Sequence, residues 1–158
     1  MPLPRDVRVA LAGPMGAGKS RVGALLAARL RVQFADLDDL TGPAEAIFAR
    51  EGEVGFRARE REALRAALVG SGVLALGGGT LVAAENREML RASWRVVVLL
   101  APAPVLRQRV GEGSGRPLAS RLDRLLLERA SLWAASGPVV STAGRDIAAV
   151  VDELVSLC

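Results

Sequence analysis

Two rhythms of apolar and polar residues run along this chain. Short runs made largely of apolar residues fall at residues 7–12, 32–35, 73–76, 95–100 and 139–141. They are rich in β-branched side chains, and Val96, Val97, Val98, Leu99 and Leu100 are apolar on both faces. Runs of that length predict strands covered on each side. Between them, apolar positions recur at helical spacing. A helix over 21–30 has its stripe at Val22, Leu25, Leu26 and Leu30. Pro43 suits a first helical turn, so a helix is expected from there to about Arg50, and another from near Glu53 to just before Gly70. Further helices are expected over 84–91, from Pro102 onward, over 120–135 and over 146–157. Strands alternating with helices predict an α/β fold of three layers, α/β/α, around a five-stranded parallel sheet. No linker or repeat divides residues 1–158, so a single domain is expected.

The first strand runs into Gly13-Pro14-Met15-Gly16-Ala17-Gly18-Lys19-Ser20, which fits G-x-x-x-x-G-K-[ST] and is followed by the first helix. Strand, glycine loop and helix in that order predict a phosphate cradle. Backbone N–H groups of Gly13, Gly16, Ala17 and Gly18 close around the phosphates, and the helix dipole favours their charge. Lys19 is the only lysine of the chain; the other twenty basic residues are arginine. A compact ammonium on a flexible stem suits two phosphates, and the Ser20 hydroxyl is placed to ligate Mg²⁺. Arg21 continues the loop.

Composition narrows the class. At 158 residues and 51% hydrophobic, the chain is long enough for one real core. No apolar run reaches the roughly 18 residues of a membrane span, and no secretory leader is visible before the first strand. One cysteine, Cys158, leaves no intrachain disulfide, and histidine is absent, which removes imidazole bases and the usual zinc ligands. A reducing cytoplasm is the expected setting. The net charge of +4 raises nucleic-acid binding, but there is no dense basic run and only three Phe and two Trp to stack bases. Arginines spread over helix faces and anionic ligands account for the charge, so neither a nucleic-acid nor a membrane partner is expected.

A phosphate loop specifies a nucleotide, not a reaction. Ligands of such sheets bind beyond the carboxyl ends of the strands, where the remaining motifs fall. Asp36 and Asp38 follow the second strand, as a metal-supporting pair or as a solvated turn or helix cap. The third strand ends in glycine instead of a metal-binding aspartate, which makes Asp36 the nearest substitute. Gly77-Gly78-Gly79 either admits a ligand onto bare backbone or is a flexible turn. Arg129 sits in the middle of a stripe formed by Leu122, Leu125, Leu126, Leu132 and Trp133. An arginine there meets an anion, snorkels to the surface or pairs with a protein carboxylate. Arg57 shares a face with Val54, Leu64 and Leu68, and Arg61 falls on that face as well.

Taken in order, these pieces resemble the shikimate kinases, of the nucleoside-monophosphate-kinase-like P-loop fold. The resemblance runs from the phosphate loop through Phe34-Ala35-Asp36-Leu37-Asp38, Ile47-Phe48, Gly52-Glu53, Phe56-Arg57 and Glu60. It continues through Leu76-Gly77-Gly78-Gly79, Arg116-Pro117-Leu118 and Arg129-Ala130-Ser131-Leu132-Trp133. It implies ATP- and Mg²⁺-dependent transfer of the γ-phosphoryl group to the 3-hydroxyl of shikimate, in chorismate and aromatic amino-acid synthesis. ATP and shikimate are the implied partners, and a monomer is the default. Lys19, Asp38 and Arg116 are the implied catalytic residues, with Asp38 accepting the proton of the attacking hydroxyl. Ser20 and Asp36 serve the metal. Arg57 and Arg129 hold the shikimate carboxylate, and Gly78 and Gly79 offer backbone contacts. Arg109, Arg116 and Arg145 complete the nucleotide site. A lid at about 111–118, between core segments 1–110 and 119–158, is expected to be mobile without ligand.

The chain departs from the family in three places. Trp133 stands for a tyrosine, Gly55 for a frequent glutamate, and the span from Arg116 to Arg129 is shorter by roughly two helical turns. A shifted alignment there would give the role of Arg129 to Arg121 or Arg124. The nearest rival is another small-molecule P-loop kinase such as a gluconate kinase. A GTPase needs N-K-x-D, which a chain with Lys19 alone cannot hold. A regulatory module without catalysis would be expected to have lost Lys19, Asp38 or Arg116.

Overall fold

The computed structural model describes residues 6–111 and 117–158, with backbone alone at 117–120. Five parallel strands form one sheet in the order β2-β3-β1-β4-β5. They are β1 (Arg8–Ala12), β2 (Phe34–Asp36), β3 (Gly72–Ala75), β4 (Arg95–Leu100) and β5 (Val139–Ser141). Register runs Phe34 to Val73, Val73 to Val9, Val9 to Arg95, and Val98 to Val139. Strand side chains alternate between faces, and the core divides accordingly. Val9, Leu11, Val97 and Leu99 pack on one face with α1 (Lys19–Leu30), α5 (Ala103–Gly111) and α7 (Ile147–Leu157). Ala10, Ala12, Val96 and Val98 pack on the other with α3 (Ala44–Ala67), α4 (Ala84–Ser93) and α6 (Pro117–Ser136). The three layers and the parallel sheet expected from the periodicity are present. Among the described residues, no helix is long and apolar enough to cross a membrane.

Several local expectations need correction. The buried face of α1 is Val22, Gly23, Leu26 and Ala27, while Leu25 is 44% exposed. Small residues set this rotation: a Cβ on Gly23 would lie 2.7 Å from the Phe34 ring, so the helix seats closely there. The two helices expected on either side of residue 52 form α3, broken at Gly52, whose φ of 71° no helix interior holds. Val54 is 85% exposed, so the apolar face shared with Arg57 does not extend to it. A short helix, α2 (Leu37–Thr41), and a 3₁₀ turn at Thr80–Val82 lie where none was expected. Helix α6 starts at Pro117, ahead of residue 120.

The loop motifs emerge at the carboxyl edge of the sheet. The phosphate loop leaves central β1, Asp36 closes β2, the glycines follow β3 through Leu76, and Thr142 follows β5. Gly13 has φ 136°, and a Cβ there would lie 2.1 Å from the carbonyl oxygen of Leu99. Only glycine lets the loop leave the sheet so close to β4.

Candidate active site

Two clefts open on that edge. One, of about 670 Å³, is lined by residues 15–22, Asp38, Arg109, Thr142, Arg145 and Asp146 among others. The other, of about 880 Å³, lies over the three glycines between α3 and α6 and includes Phe48, Phe56, Arg57, Glu60, Arg121 and Arg129. Met15 and Asp38 line both, so the clefts meet at the Asp38 carboxylate.

Lys19 is the first residue of α1, and its Nζ donates to the carbonyls of Gly13 at 2.6 Å and Pro14 at 3.1 Å. Burial lowers its pKa to about 8, against the opposing pull of Asp38 and Asp36. Ser20 Oγ donates to Asp36 Oδ2, and Asp36 Oδ1 accepts the Asp38 N–H at 3.0 Å. Asp36 is thus the N-cap of α2, the helix-cap alternative, as well as the partner of Ser20. Capping leaves Asp38 in the first turn of α2. Its carboxylate lies beside Gly77, where a Cβ would come within 3.0 Å of both Asp38 Oδ1 and Glu60 Oε2. Burial, then Asp36, raises the pKa of Asp38, while Lys19 pulls it down.

The second cleft carries two guanidinium groups. Arg57 donates to Glu60 Oε1 at 2.8 Å and lies over the Phe56 ring, 5.3 Å from its centroid. Glu60 is 1% exposed, and its Oε2 accepts from Thr80 Oγ1 at 3.1 Å, which locks the pair in place. Arg129 donates to the Gly78 carbonyl at 2.9 Å. Burial and the nearby Arg57 charge lower its pKa. Two like charges therefore face one space, and among the described residues Arg129 has no carboxylate partner within salt-bridge distance. Neither Gly78 N–H nor Gly79 N–H has a protein acceptor among the described residues. Arg61, on the same helix as Arg57, pairs with Glu85 at 3.3 Å instead.

The candidate arginines on α6 differ in what they touch. Arg129, not Arg121 or Arg124, reaches the glycine segment; Arg124 pairs with Glu128 at 3.5 Å, and Arg121 lines the cleft wall. Trp133 is buried beneath the site. Arg109 binds the carbonyls of Gly16 and Thr142 and the Thr142 hydroxyl. Arg145 donates to Ser141 O at 3.0 Å and pairs with Glu153. Both line the first cleft, as does Arg21. Arg116 lies outside the described residues, as does most of the expected lid. Sequence reasoning assigned no role to Glu60 or Thr142. An acidic residue three positions beyond Arg57 is a signal for the first, and a small hydroxyl just past a carboxyl strand end is one for the second.

The family model described as SKI, shikimate kinase, matches residues 15–158. A shikimate kinase of Geobacter sulfurreducens is 40% identical over 167 residues, covering 98% of this chain and 92% of its own. The structure of a shikimate kinase from Acinetobacter baumannii in complex with shikimate superposes with a TM-score of 0.88 at 33% identity, covering 97% of this chain and 93% of the other. A gluconokinase from Sinorhizobium meliloti, with a TM-score of 0.66 at 19% identity over 96% and 91% of the two chains, shares the fold. By the family model that spans residues 15–158 and relatives of this identity over nearly the whole chain, this chain belongs to the shikimate kinase family.

Proposed function

We propose that this protein is a shikimate kinase, transferring the γ-phosphoryl group of ATP to the 3-hydroxyl of shikimate and releasing shikimate 3-phosphate and ADP. The observation that carries the reading is the meeting of the two clefts at Asp38, with a phosphate loop on one side and paired arginines on the other. The loop cleft receives the triphosphate. Lys19 exchanges the Gly13 and Pro14 carbonyls for the β- and γ-phosphates, which raises its pKa again. The acceptor carboxylate lies between Arg57 and Arg129 and relieves their mutual repulsion. Glu60 keeps Arg57 aimed, and the Gly78 and Gly79 N–H groups receive acceptor oxygens. The hydroxyl to be phosphorylated then faces Asp38.

A carboxylate with a raised pKa suits proton removal near neutral pH. Asp38 takes the hydroxyl proton as the oxygen attacks the γ-phosphorus and the bond to the ADP oxygen breaks. Phosphoryl transfer asks mainly for alignment and charge neutralisation, which accounts for a site without histidine or a cysteine nucleophile. The oxygen donors Ser20 and Asp36 fit Mg²⁺, which takes few protein ligands and completes its shell with phosphates and water. Among the described residues no cluster of three or more metal-binding side chains offers another site. Mg²⁺ bound there would neutralise β- and γ-phosphate charge. Arg116 belongs to this proposal as the lid residue over the transferring group, and Arg109 and Arg145 as the frame of the adenine. A cytoplasmic monomer is part of the same proposal.

The test is ADP release by the purified chain with shikimate, gluconate or nucleoside monophosphates as acceptors. Activity with shikimate that exceeds the others by orders of magnitude is expected. Preference for gluconate or a nucleotide would overturn the acceptor assignment.

A further inference from the structure

Thr142 joins the phosphate loop to the last turn of α5. It follows β5 directly and is 6% exposed. Its N–H donates to Leu100 O at 2.9 Å, which ties it to the end of β4. Its Oγ1 lies 3.0 Å from Ala17 O and 3.2 Å from Arg109 Nη1. Arg109 further donates through Nη2 to Thr142 O at 3.2 Å, and through Nη1 to Gly16 O at 3.0 Å. A guanidinium only donates, so the hydroxyl accepts from Arg109, and its one proton goes to Ala17 O at 3.0 Å in preference to Leu100 O at 3.5 Å.

The direction of that bond matters for the loop. In a trans peptide the carbonyl and the N–H point to opposite sides of the chain. Holding Ala17 O toward β5 therefore turns the Gly18 N–H to the other side of the loop. That N–H has no protein acceptor among the described residues. Gly18 is the N-cap of α1, where an anion is favoured by both the free donors and the helix dipole.

We propose that Thr142 is a positioning residue for the phosphoryl donor. Its hydroxyl aims the phosphate loop through Ala17 and at the same time holds Arg109 at the rim of the nucleotide cleft. The inference rests on the reading of that cleft as the ATP site. One atom does both jobs, so the loop and Arg109 are coupled through it. Valine keeps the shape of threonine but neither donates nor accepts. Serine keeps the hydroxyl and loses only a methyl group.

The experiment measures dissociation constants for ADP with Mg²⁺, and separately for shikimate, in the unmodified chain, Thr142→Val, Thr142→Ser, Arg109→Met and the Thr142→Val/Arg109→Met double variant. Melting temperatures are recorded alongside. Thr142→Val is expected to weaken ADP about tenfold, as for a lost pair of buried hydrogen bonds. Shikimate binding should stay within about twofold, since Thr142 does not line the acceptor cleft. Thr142→Ser should recover most of the loss, and the double variant should lose less than the product of the two single losses. ADP binding in Thr142→Val equal to the unmodified chain overturns the inference. So does equal loss for ADP and shikimate with no rescue by serine, or strict multiplication of the single effects. An unmodified chain that binds shikimate but not ADP overturns the nucleotide reading, and the inference with it.

Discussion

The Lys19 ammonium lies 2.6 Å from the carbonyl oxygen of Gly13, the first residue of its own loop. Its pKa is lowered to about 8, with burial as the largest cause. Nucleotide phosphates favour the ammonium form, so binding raises this pKa again. Below about pH 8 the free protein already carries the charge, and above it a proton must be taken up on binding. ADP affinity is expected to be flat on the acid side and to fall as pH rises through about 8, by at most tenfold per unit. Calorimetry in buffers of different ionisation enthalpy should show proton uptake near pH 9. Affinity unchanged up to pH 10 would sink the proposed role of Lys19 on the phosphates. Lys19→Ala should abolish transfer with little change in melting temperature.

Asp36 and Asp38 are two residues apart and should separate cleanly in mutants. Asp38→Asn removes the proposed proton acceptor and should lower kcat by about 10²–10⁴-fold with ATP binding largely kept. Asp36→Asn should instead raise the Mg²⁺ concentration needed for half-maximal rate. Identical Mg²⁺ dependence in the two variants would show that the division of labour is wrong.

The raised pKa of Asp38 also has a direction in the rate profile. Asp38 must be ionised to accept a proton, so kcat should fall as pH drops through a value above the ordinary carboxylate range. Asp36 contributes to that rise. Asp36→Asn should therefore move the acid limb toward lower pH, measured at saturating Mg²⁺. A limb that stays put or moves upward contradicts Asp38 as the titrating group.

Gly79 is held to glycine by space. A Cβ there would lie 2.5 Å from Arg57 Nη2 and 2.9 Å from its Cζ. Because Glu60 and Phe56 hold Arg57, the guanidinium cannot yield without losing its pair. Gly79→Ala should raise the KM for shikimate at least tenfold, on the scale of a disturbed charge-assisted contact, and leave the KM for ATP unchanged. Equal KM values for shikimate in the two proteins would remove Gly79 from the acceptor site.

What was legible in the sequence follows from what each signal depends on. Residues 95–100 match β4 because its four central positions are buried on both faces of the sheet, while 139–141 match β5, an edge strand with only Val140 buried, through its paired valines. The phosphate loop was legible because glycine spacing, a lone lysine and its flanks agree. Helix α2 has only five residues, too few for a periodic stripe, and its start is an Asp-x-Asp that a turn would share. Leu25 was misplaced because hydropathy counts leucine above glycine, whereas close packing on Phe34 favours Gly23. For Glu60 and Thr142 a local pattern marks the residue but not its distant partners, Thr80 and Ala17, which lie 20 and 125 residues away in sequence.

Arg129 was legible as an anomaly, a charge inside an apolar helical stripe, and the structure gives that anomaly a partner and a neighbour. It donates to Gly78 O and feels the charge of Arg57. Without an anion the two guanidinium groups repel; with a carboxylate between them both are satisfied. Arg129→Ala should raise the shikimate KM about 30-fold, or ~2 kcal/mol, the low end for a charge partner because the side chain is half-buried. The KM for ATP should change less than twofold, since Arg129 lines only the acceptor cleft. Arg129→Lys should recover part of the loss, because an ammonium supplies charge without the two-pronged contact. The same substitutions at Arg121 should have smaller effects, as Arg121 reaches no glycine carbonyl. A larger shikimate defect in Arg121→Ala than in Arg129→Ala would reverse the assignment along α6 and place the acceptor carboxylate about two turns nearer the start of the helix.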